Sequence, residues 1–273
     1  MKGLFVERRN FMTSMLALAA SGSGSTGAAA GAQGTQTAPP EFYLWRQYIL
    51  RNGTAPGRLA EYLQKAAIPA LNRIGCSPVG VFEVLAGVAG PTIFVLTPLP
   101  TLDVLGGMDG RLQADDQYLR AAAPYLDATA ADPAYVRQEN AVLAAFPKFP
   151  RLVLPAATAS KGPRLFELRT YESPSEKTHL AKVKMFSEMG EIEIFKRVGL
   201  TPVFFSRTLA GPRMPSLVYM LVHENMAGRE KSWDTFRNDP EWKKVSSTPG
   251  FSDADIVTNI TTIFLRPAAY SQI

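Results

Sequence analysis

The sequence predicts an α+β fold in which two tandem βαββαβ units, joined in one chain, close on each other as an α/β-barrel. Three internal matches, in the same order in both halves, predict it. At a lag near 124, Asn72-Arg73-Ile74-Gly75-Cys76-Ser77-Pro78-Val79-Gly80-Val81-Phe82 aligns with Lys196-Arg197-Val198-Gly199-Leu200-Thr201-Pro202-Val203-Phe204-Phe205-Ser206. Each copy reads as the last turn of a helix, a glycine stop and a strand entered through proline. Upstream, Arg46-Gln47-Tyr48 lies 123 residues before Arg169-Thr170-Tyr171. Downstream, Asp132-Pro133-Ala134-Tyr135 resembles Asp239-Pro240-Glu241-Trp242 at a lag of 107, as a longer insertion in the first half would produce.

The first 40 residues read as a signal peptide and flexible tract. Arg8-Arg9-Asn10-Phe11 precedes a modest apolar run ending at Ala20, followed by an uncharged Ser/Gly/Ala-rich tract that lasts until Glu41. That run is about ten residues, too short for a hydrocarbon core that needs about twenty, so cleavage is expected rather than anchoring. The paired arginines resemble a bacterial twin-arginine signal, with Glu7 and Met12 departing from its usual pattern. Ala30-Gly31-Ala32 offers a cleavage site that would make Gln33 the first mature residue, and Ala28-Ala29-Ala30 offers another. The expected location is periplasmic or secreted.

The first half, residues 41–154, predicts a strand over 42–50, a helix over 56–74, strands over 79–85 and 92–97, and a helical stretch near 113–123. Its last strand is left open, and Pro147 and Pro150 push it toward a sheet edge. Residues 155–163 form the linker. In the second half, residues 164–273, a strand covers 165–171, and Ser173-Pro174-Ser175-Glu176 supplies a cap, a helix-starting proline and a first-turn acid. The helix that follows carries Leu180, Val183, Phe186, Ile194, Phe195 and Val198 as its apolar stripe and stops at Gly199. Strands over 203–208 and 217–223 flank a turn at Gly211-Pro212-Arg213-Met214-Pro215. Trp233 and Phe236 mark a second helix, Asp239-Pro240 caps a short turn, and a β-rich segment over 256–265 closes the unit. A βαββαβ unit is a ferredoxin-like sheet with helices on one face, so its bare face needs a cover, and two units can cover each other.

Composition removes several function classes. Of 273 residues, 46% are hydrophobic and 19% charged, which excludes a disordered chain. The single cysteine, Cys76, permits no intrachain disulfide and no cysteine-based metal cluster, and with only His179 and His223 no metal or cofactor is expected. Of the net charge of +5, Lys2, Arg8 and Arg9 against Glu7 account for +2 in the signal segment. The remaining cations are interspersed with acids, so nucleic acid is not an expected partner. Gly87-Val88-Ala89-Gly90 runs into Pro91 rather than into a helix, so it is no phosphate loop, and Asp115-Asp116 lacks a metal-ligand partner pattern.

Phe166-Glu167-Leu168-Arg169-Thr170-Tyr171, the Arg197-Val198-Gly199 helix end, the Gly211 hairpin, Arg229 and Asp239-Pro240-Glu241-Trp242 together resemble the NIPSNAP family of the dimeric α/β-barrel superfamily. The resemblance covers about residues 164–267, and the first half only through its weaker copies. In the third strand, where that family often has an aromatic pair, this chain has Leu221 and His223. The resemblance implies the barrel and does not imply an activity.

Strand alternation then nominates site residues. The expected barrel interior receives Glu167, Arg169 and Tyr171 from the first strand of the second half, and Tyr219, Leu221 and His223 from its third, leaving Phe166, Leu168 and Thr170 for the helices. The repeat adds Arg46 and Tyr48. Arg46, Tyr48, Arg169, Tyr171, Tyr219 and His223 are therefore the candidate ligand-binding set, suited to a small anionic or aromatic molecule. In the competing reading Arg169 pairs with Glu167 or a carboxylate of the other half and locks the sheets, and in a third His223 is a general base. His179 is expected at the surface or half-buried, and Arg229, Asp239 and Trp242 as architectural. The expected function is an exported ligand-binding or interaction protein, monomeric or weakly homo-oligomeric. The alternative is a small-molecule monooxygenase or isomerase, and whether the chain is an enzyme stays open.

Overall fold

In the computed structural model, which describes residues 39–273, each half of the chain contributes four strands. The first half supplies β1 (Phe42–Ile49), β2 (Gly80–Ala86), β3 (Thr92–Leu99) and β4 (Arg137–Ala145), and the second supplies β5 (Leu165–Glu172), β6 (Thr201–Ala210), β7 (Ser216–His223) and β8 (Asn259–Pro267). The twin-arginine pair Arg8-Arg9 and both cleavage sites lie outside the described residues. All strand pairs are antiparallel, and the order β1-β3-β2-β8-β5-β7-β6-β4 closes into a barrel. Within each half the order is fourth, first, third, second, as in a ferredoxin-like sheet. Two seams, β2 with β8 and β4 with β6, join the halves.

The duplication is visible in the backbone. Gly75 and Gly199, the matched helix stops, both sit at positive φ, 86° and 83°, where a side chain would be strained. β3 and β7 begin at Thr92 and Ser216, 124 residues apart, and β4 and β8 begin at Arg137 and Asn259, 122 apart. The lag of 107 between them arises from two insertions. The first half carries α3 (Leu102–Gly106) and α4 (Met108–Gln113) before its helix α5 (Asp116–Leu126). The second half has no such pair, but adds α10 (Pro240–Ser246) and α11 (Asp253–Ile256) after α9 (Met226–Asn238). Asp239 caps α10 through the backbone N–H groups of Glu241 and Trp242, whereas Asp132 lies in the loop before β4.

The remaining helices complete the outer layers. After β1 come α1 (Ala55–Tyr62), a wide π-helical turn over Leu63–Ala67, and α2 (Ile68–Arg73). The linker holds one short turn, α6 (Ala157–Ser160), and after β5 come α7 (Glu176–Ser187) and α8 (Glu191–Arg197), separated at Gly190.

Four expectations are corrected. β4 is no edge strand: it lies between β1 and β6, and Pro147 and Pro150 fall beyond its end. The cap of α7 is Ser175, in a reciprocal capping box with Thr178, two residues later than expected. The buried stripe of α7 is His179, Lys182, Met185 and Phe186, while Leu180 is exposed. Each residue turns a helix by 100°, so a one-residue error in phase moves the stripe from core to solvent.

The fourth concerns the two faces of the barrel strands. Its interior is filled by Tyr43, Trp45, Phe82, Phe94, Phe166, Leu168, Phe204, Val218, Met220 and Leu265, drawn from both halves. Arg46 and Tyr48 of β1, Glu167, Arg169 and Tyr171 of β5, and Tyr219, Leu221 and His223 of β7 point outward, under the helices. Alternation gives two faces but not which is inside. An eight-stranded barrel has just enough room for side chains, and the large apolar set takes it.

If the halves depend on this mutual cover, residues 164–273 alone will expose Phe166, Leu168 and Met220 together with the unpaired edges of β6 and β8. The fragment is expected to dimerise or aggregate in size-exclusion chromatography with light scattering. A well-behaved monomeric fragment would contradict the dependence.

Candidate functional site

The outward face of β5 carries Glu167, Arg169 and Tyr171 in alternate positions, and α9 lies over it. Glu167 is fully buried and accepts five hydrogen bonds. Arg229 of α9 chelates both oxygens, Nε to Oε2 at 2.9 Å and Nη2 to Oε1 at 2.7 Å. Trp233 Nε1 donates to Oε2 at 2.8 Å, and Arg169 Nη1 to Oε1 at 3.2 Å. His223 Nε2 lies 3.2 Å from Oε2 and donates there in the tautomer with the proton on that nitrogen. Burial by itself pushes the Glu167 carboxyl up, but the hydrogen bonds from His223, Arg229 and Trp233 and the charge of Arg169 outweigh it and hold it at about 2.

Beside this cluster, between β5 and helices α7 to α11, is a cavity of about 280 Å³. Arg169 and Tyr171 form its floor, and Trp233, Phe236 and Trp242 form a wall of successive rings with centroids 5.5 Å and 4.4 Å apart. The Arg169 guanidinium stacks on Trp233, 4.6 Å from the ring centroid. Opposite stands a second charged group: Lys182 Nζ lies 3.0 Å from Asp253 Oδ1 and 3.5 Å from Glu191 Oε2, facing the rings of Tyr171, Phe186 and Trp242. Burial by itself would lower Lys182, but Glu191, Asp253 and Tyr171 outweigh it and keep the ammonium charged. Glu191 is also buried. Its desolvation, with the Asp253 charge added, exceeds the pull of Lys182 and raises its carboxyl to about 7. The cavity thus combines cations, an aromatic wall and a carboxyl poised near neutrality.

The equivalent place in the first half is closed. Arg46 bonds to Tyr48 at 3.3 Å and to Asn140 at 3.0 Å, and the space around Arg46 and Tyr48 is about 30 Å³, room for a water molecule. Met108 and Leu112 of the inserted α4, with Tyr62 and Leu63, fill it. The barrel holds a smaller recess of about 100 Å³ near Trp45, Arg213 and Ser216.

Of the sequence-nominated residues, the structure gathers Arg169, Tyr171, Tyr219 and His223 around one cluster. The Tyr219 hydroxyl donates to that of Tyr171 at 3.2 Å. Arg46 and Tyr48 belong to the separate, filled layer, and the Arg169–Glu167 pair is present within one sheet rather than across two. The sequence reading missed Lys182, Glu191 and Asp253, and it took Arg229 and Trp242 as architectural. The signal for Lys182 was its place three residues from both His179 and Met185 on α7. Asp253 comes close only through the fold. His179 is buried, with Nδ1 unpaired among the described residues.

Residues 166–272 match the NIPSNAP family model. Among solved structures, the chain is similar to a candidate monooxygenase from Lactobacillus acidophilus NCFM, at 8% identity over 84% of this chain and 94% of that one, with a TM-score of 0.53. That similarity shows the α/β-barrel fold. An uncharacterized NIPSNAP domain protein from Burkholderia xenovorans matches at 22% identity over 38% of this chain and 95% of its own, with a TM-score of 0.33. A NIPSNAP family protein from Agrobacterium tumefaciens C58 matches at 18% over 40% and 96%, with a TM-score of 0.35. No curated protein matches the chain.

Glu167→Ala leaves Arg169, Arg229 and His223 without their common acceptor and is expected to cost about 3–5 kcal/mol in urea denaturation. Glu167 has a folded value of about 2 against 4.5 unfolded, so its stabilisation is present above pH 4.5 and is lost as pH falls through 2. That is about 3 kcal/mol, read as acid lability of the wild type. Glu191, raised to about 7, acts oppositely: its contribution is present below pH 4.5 and is lost as pH rises through 7. A Glu167→Ala variant as stable as wild type at neutral pH would refute the clamp.

Proposed function

We propose that residues 164–273 are a NIPSNAP-type domain fused to a diverged copy of itself, and that the exported chain binds a small anionic or aromatic molecule in the cavity over β5. One observation carries this reading: two sites related by duplication differ, about 280 Å³ around Arg169 and Tyr171 against about 30 Å³ around Arg46 and Tyr48. A group of cations and rings kept open in one copy and plugged in the other is what retained binding would leave. Export is supported by Arg8-Arg9 and the short apolar run behind them. Among the described residues no helix is long and apolar enough to cross a membrane. Because one chain supplies both barrel halves, the mature protein is proposed to be monomeric or only weakly self-associating.

A specific feature favours a second reading, a small-molecule oxygenase or isomerase working in the same cavity. Glu191, near 7 and beside Lys182, is suited to moving a proton at neutral pH. Candidate substrates turned over by wild type but not by Glu191→Gln would favour it over binding alone.

Native mass spectrometry of the protein purified from its own host is expected to show a retained ligand. Arg169→Met should lose it and Arg46→Met should keep it. Equal retention by both variants would refute the assignment to this cavity. For export, replacing Arg8 and Arg9 together by lysine should strand the precursor in the cytoplasm, since the address is read by a receptor rather than by charge. Unchanged export of the double mutant would refute the twin-arginine route.

A further inference from the structure

Resting on the reading that this cavity binds a small molecule, we infer that its ligand is a single-ring aromatic monocarboxylate, held by Arg169 along the Trp233–Phe236–Trp242 wall and taken up together with a proton onto Glu191. Size is the first argument. An apolar cavity of about 150 Å³ accepts benzene and drug-sized pockets begin near 300 Å³, so about 280 Å³ suits one ring with a substituent. Shape is the second. The edge-to-face Trp233–Phe236 pair and the tilted Phe236–Trp242 pair line the cavity with ring faces and edges that an aromatic guest can meet in the same offset or edge-on geometries, and the guanidinium of Arg169 lies at the Trp233 end.

Charge is the third argument. Arg229 is chelated by both oxygens of Glu167, Lys182 is shared by Asp253 and Glu191, and Arg237 pairs with Asp234. Arg169, besides stacking on Trp233, makes one hydrogen bond among the described residues, the longer of the two to Glu167 Oε1, and its buried Nε has no acceptor among them. It is the cation with donor capacity to spare for a carboxylate.

The proton follows from what the ligand joins. Glu191 is faced by Lys182 from α7, Asp253 from α11, Arg169 from β5 and Tyr219 from β7. An incoming carboxylate would share this enclosure with two acids and would occupy Arg169, whose charge favours the ionised form of Glu191. Asp253 is 48% exposed and stays solvated, whereas Glu191 is fully enclosed, so Glu191 is the group that takes the proton. Without ligand its carboxyl stands at about 7, and a bound anion moves it higher. Above that value each binding event carries one proton, and affinity is expected to fall about tenfold per pH unit.

The test is calorimetric titration of the mature wild-type chain with benzoate, benzamide and cyclohexanecarboxylate from pH 6 to 9, in buffers of different ionisation enthalpy. Benzoate is expected to bind at least about tenfold tighter than either analogue, a difference of about 1.4 kcal/mol. Its affinity should fall with pH above 7, with close to one proton taken up. Glu191→Gln should bind benzoate with no such pH dependence. Benzamide or cyclohexanecarboxylate binding as tightly as benzoate would overturn the ligand class. So would failure of benzoate when native mass spectrometry shows a different retained molecule, and both outcomes leave ligand binding in the cavity standing. Benzoate binding without proton uptake would overturn the role of Glu191. No binding of any probe, with no retained molecule, would overturn this inference and the proposed function together.

Discussion

Four strand edges govern this structure. Taken separately, each half is a four-stranded sheet with helices on one face, ending in β2 and β4 or in β6 and β8, whose outer N–H and C=O groups have no partner. The bare face of each sheet carries residues such as Phe82, Phe94, Phe166 and Met220 that water would expose at a cost of the order of 2 kcal/mol for each side chain. Pairing β2 with β8 and β4 with β6 resolves both problems at once, since it removes every edge and turns the two bare faces toward each other. With eight strands the enclosed space is a packed core, so any cavity large enough for a ligand must lie in the outer layers between sheet and helices.

Those outer layers have diverged in opposite ways. The first half spends its insertion before α5, and α4 drives Met108 and Leu112 into the space over Arg46 and Tyr48. Tyr62 and Tyr125, stacked with centroids 3.7 Å apart, and the Tyr62–Tyr118 hydroxyl contact add to this packing. The second half inserts after α9 instead. There α10 and α11 stand at the rim and contribute Trp242 and Asp253, which frame the cavity instead of filling it. The same strand text, Arg-x-Tyr, borders a filled layer in one half and an open cavity in the other.

Two electrostatic regimes meet at Arg169. Glu167 is held ionised by five donor groups and ties α9 to β5. Lys182, Glu191 and Asp253 form the second group, two acids around one buried ammonium, in which burial raises the Glu191 carboxyl to about 7. Arg169 touches the first group and faces the second, so the site combines a fixed guanidinium with a titratable wall.

The sequence by itself determined the duplication, the βαββαβ order, the glycine stops at Gly75 and Gly199 and the strand segments that carry Arg46, Tyr48, Arg169, Tyr171, Tyr219 and His223. These are local matters, set by periodicity, backbone conformation and repeated text. Alternation also grouped Glu167 with Arg169 and Tyr171 correctly. Which face of β5 looks into the barrel was decided only by tertiary structure, because period two is symmetric until volume chooses: the lumen takes Phe166 and Leu168, and the charged side falls under the helices. The same holds for Lys182, Glu191 and Asp253, which lie on three separate helices. Their partnership depends on how α7, α8 and α11 pack over the sheet, and no spacing along the chain encodes that contact.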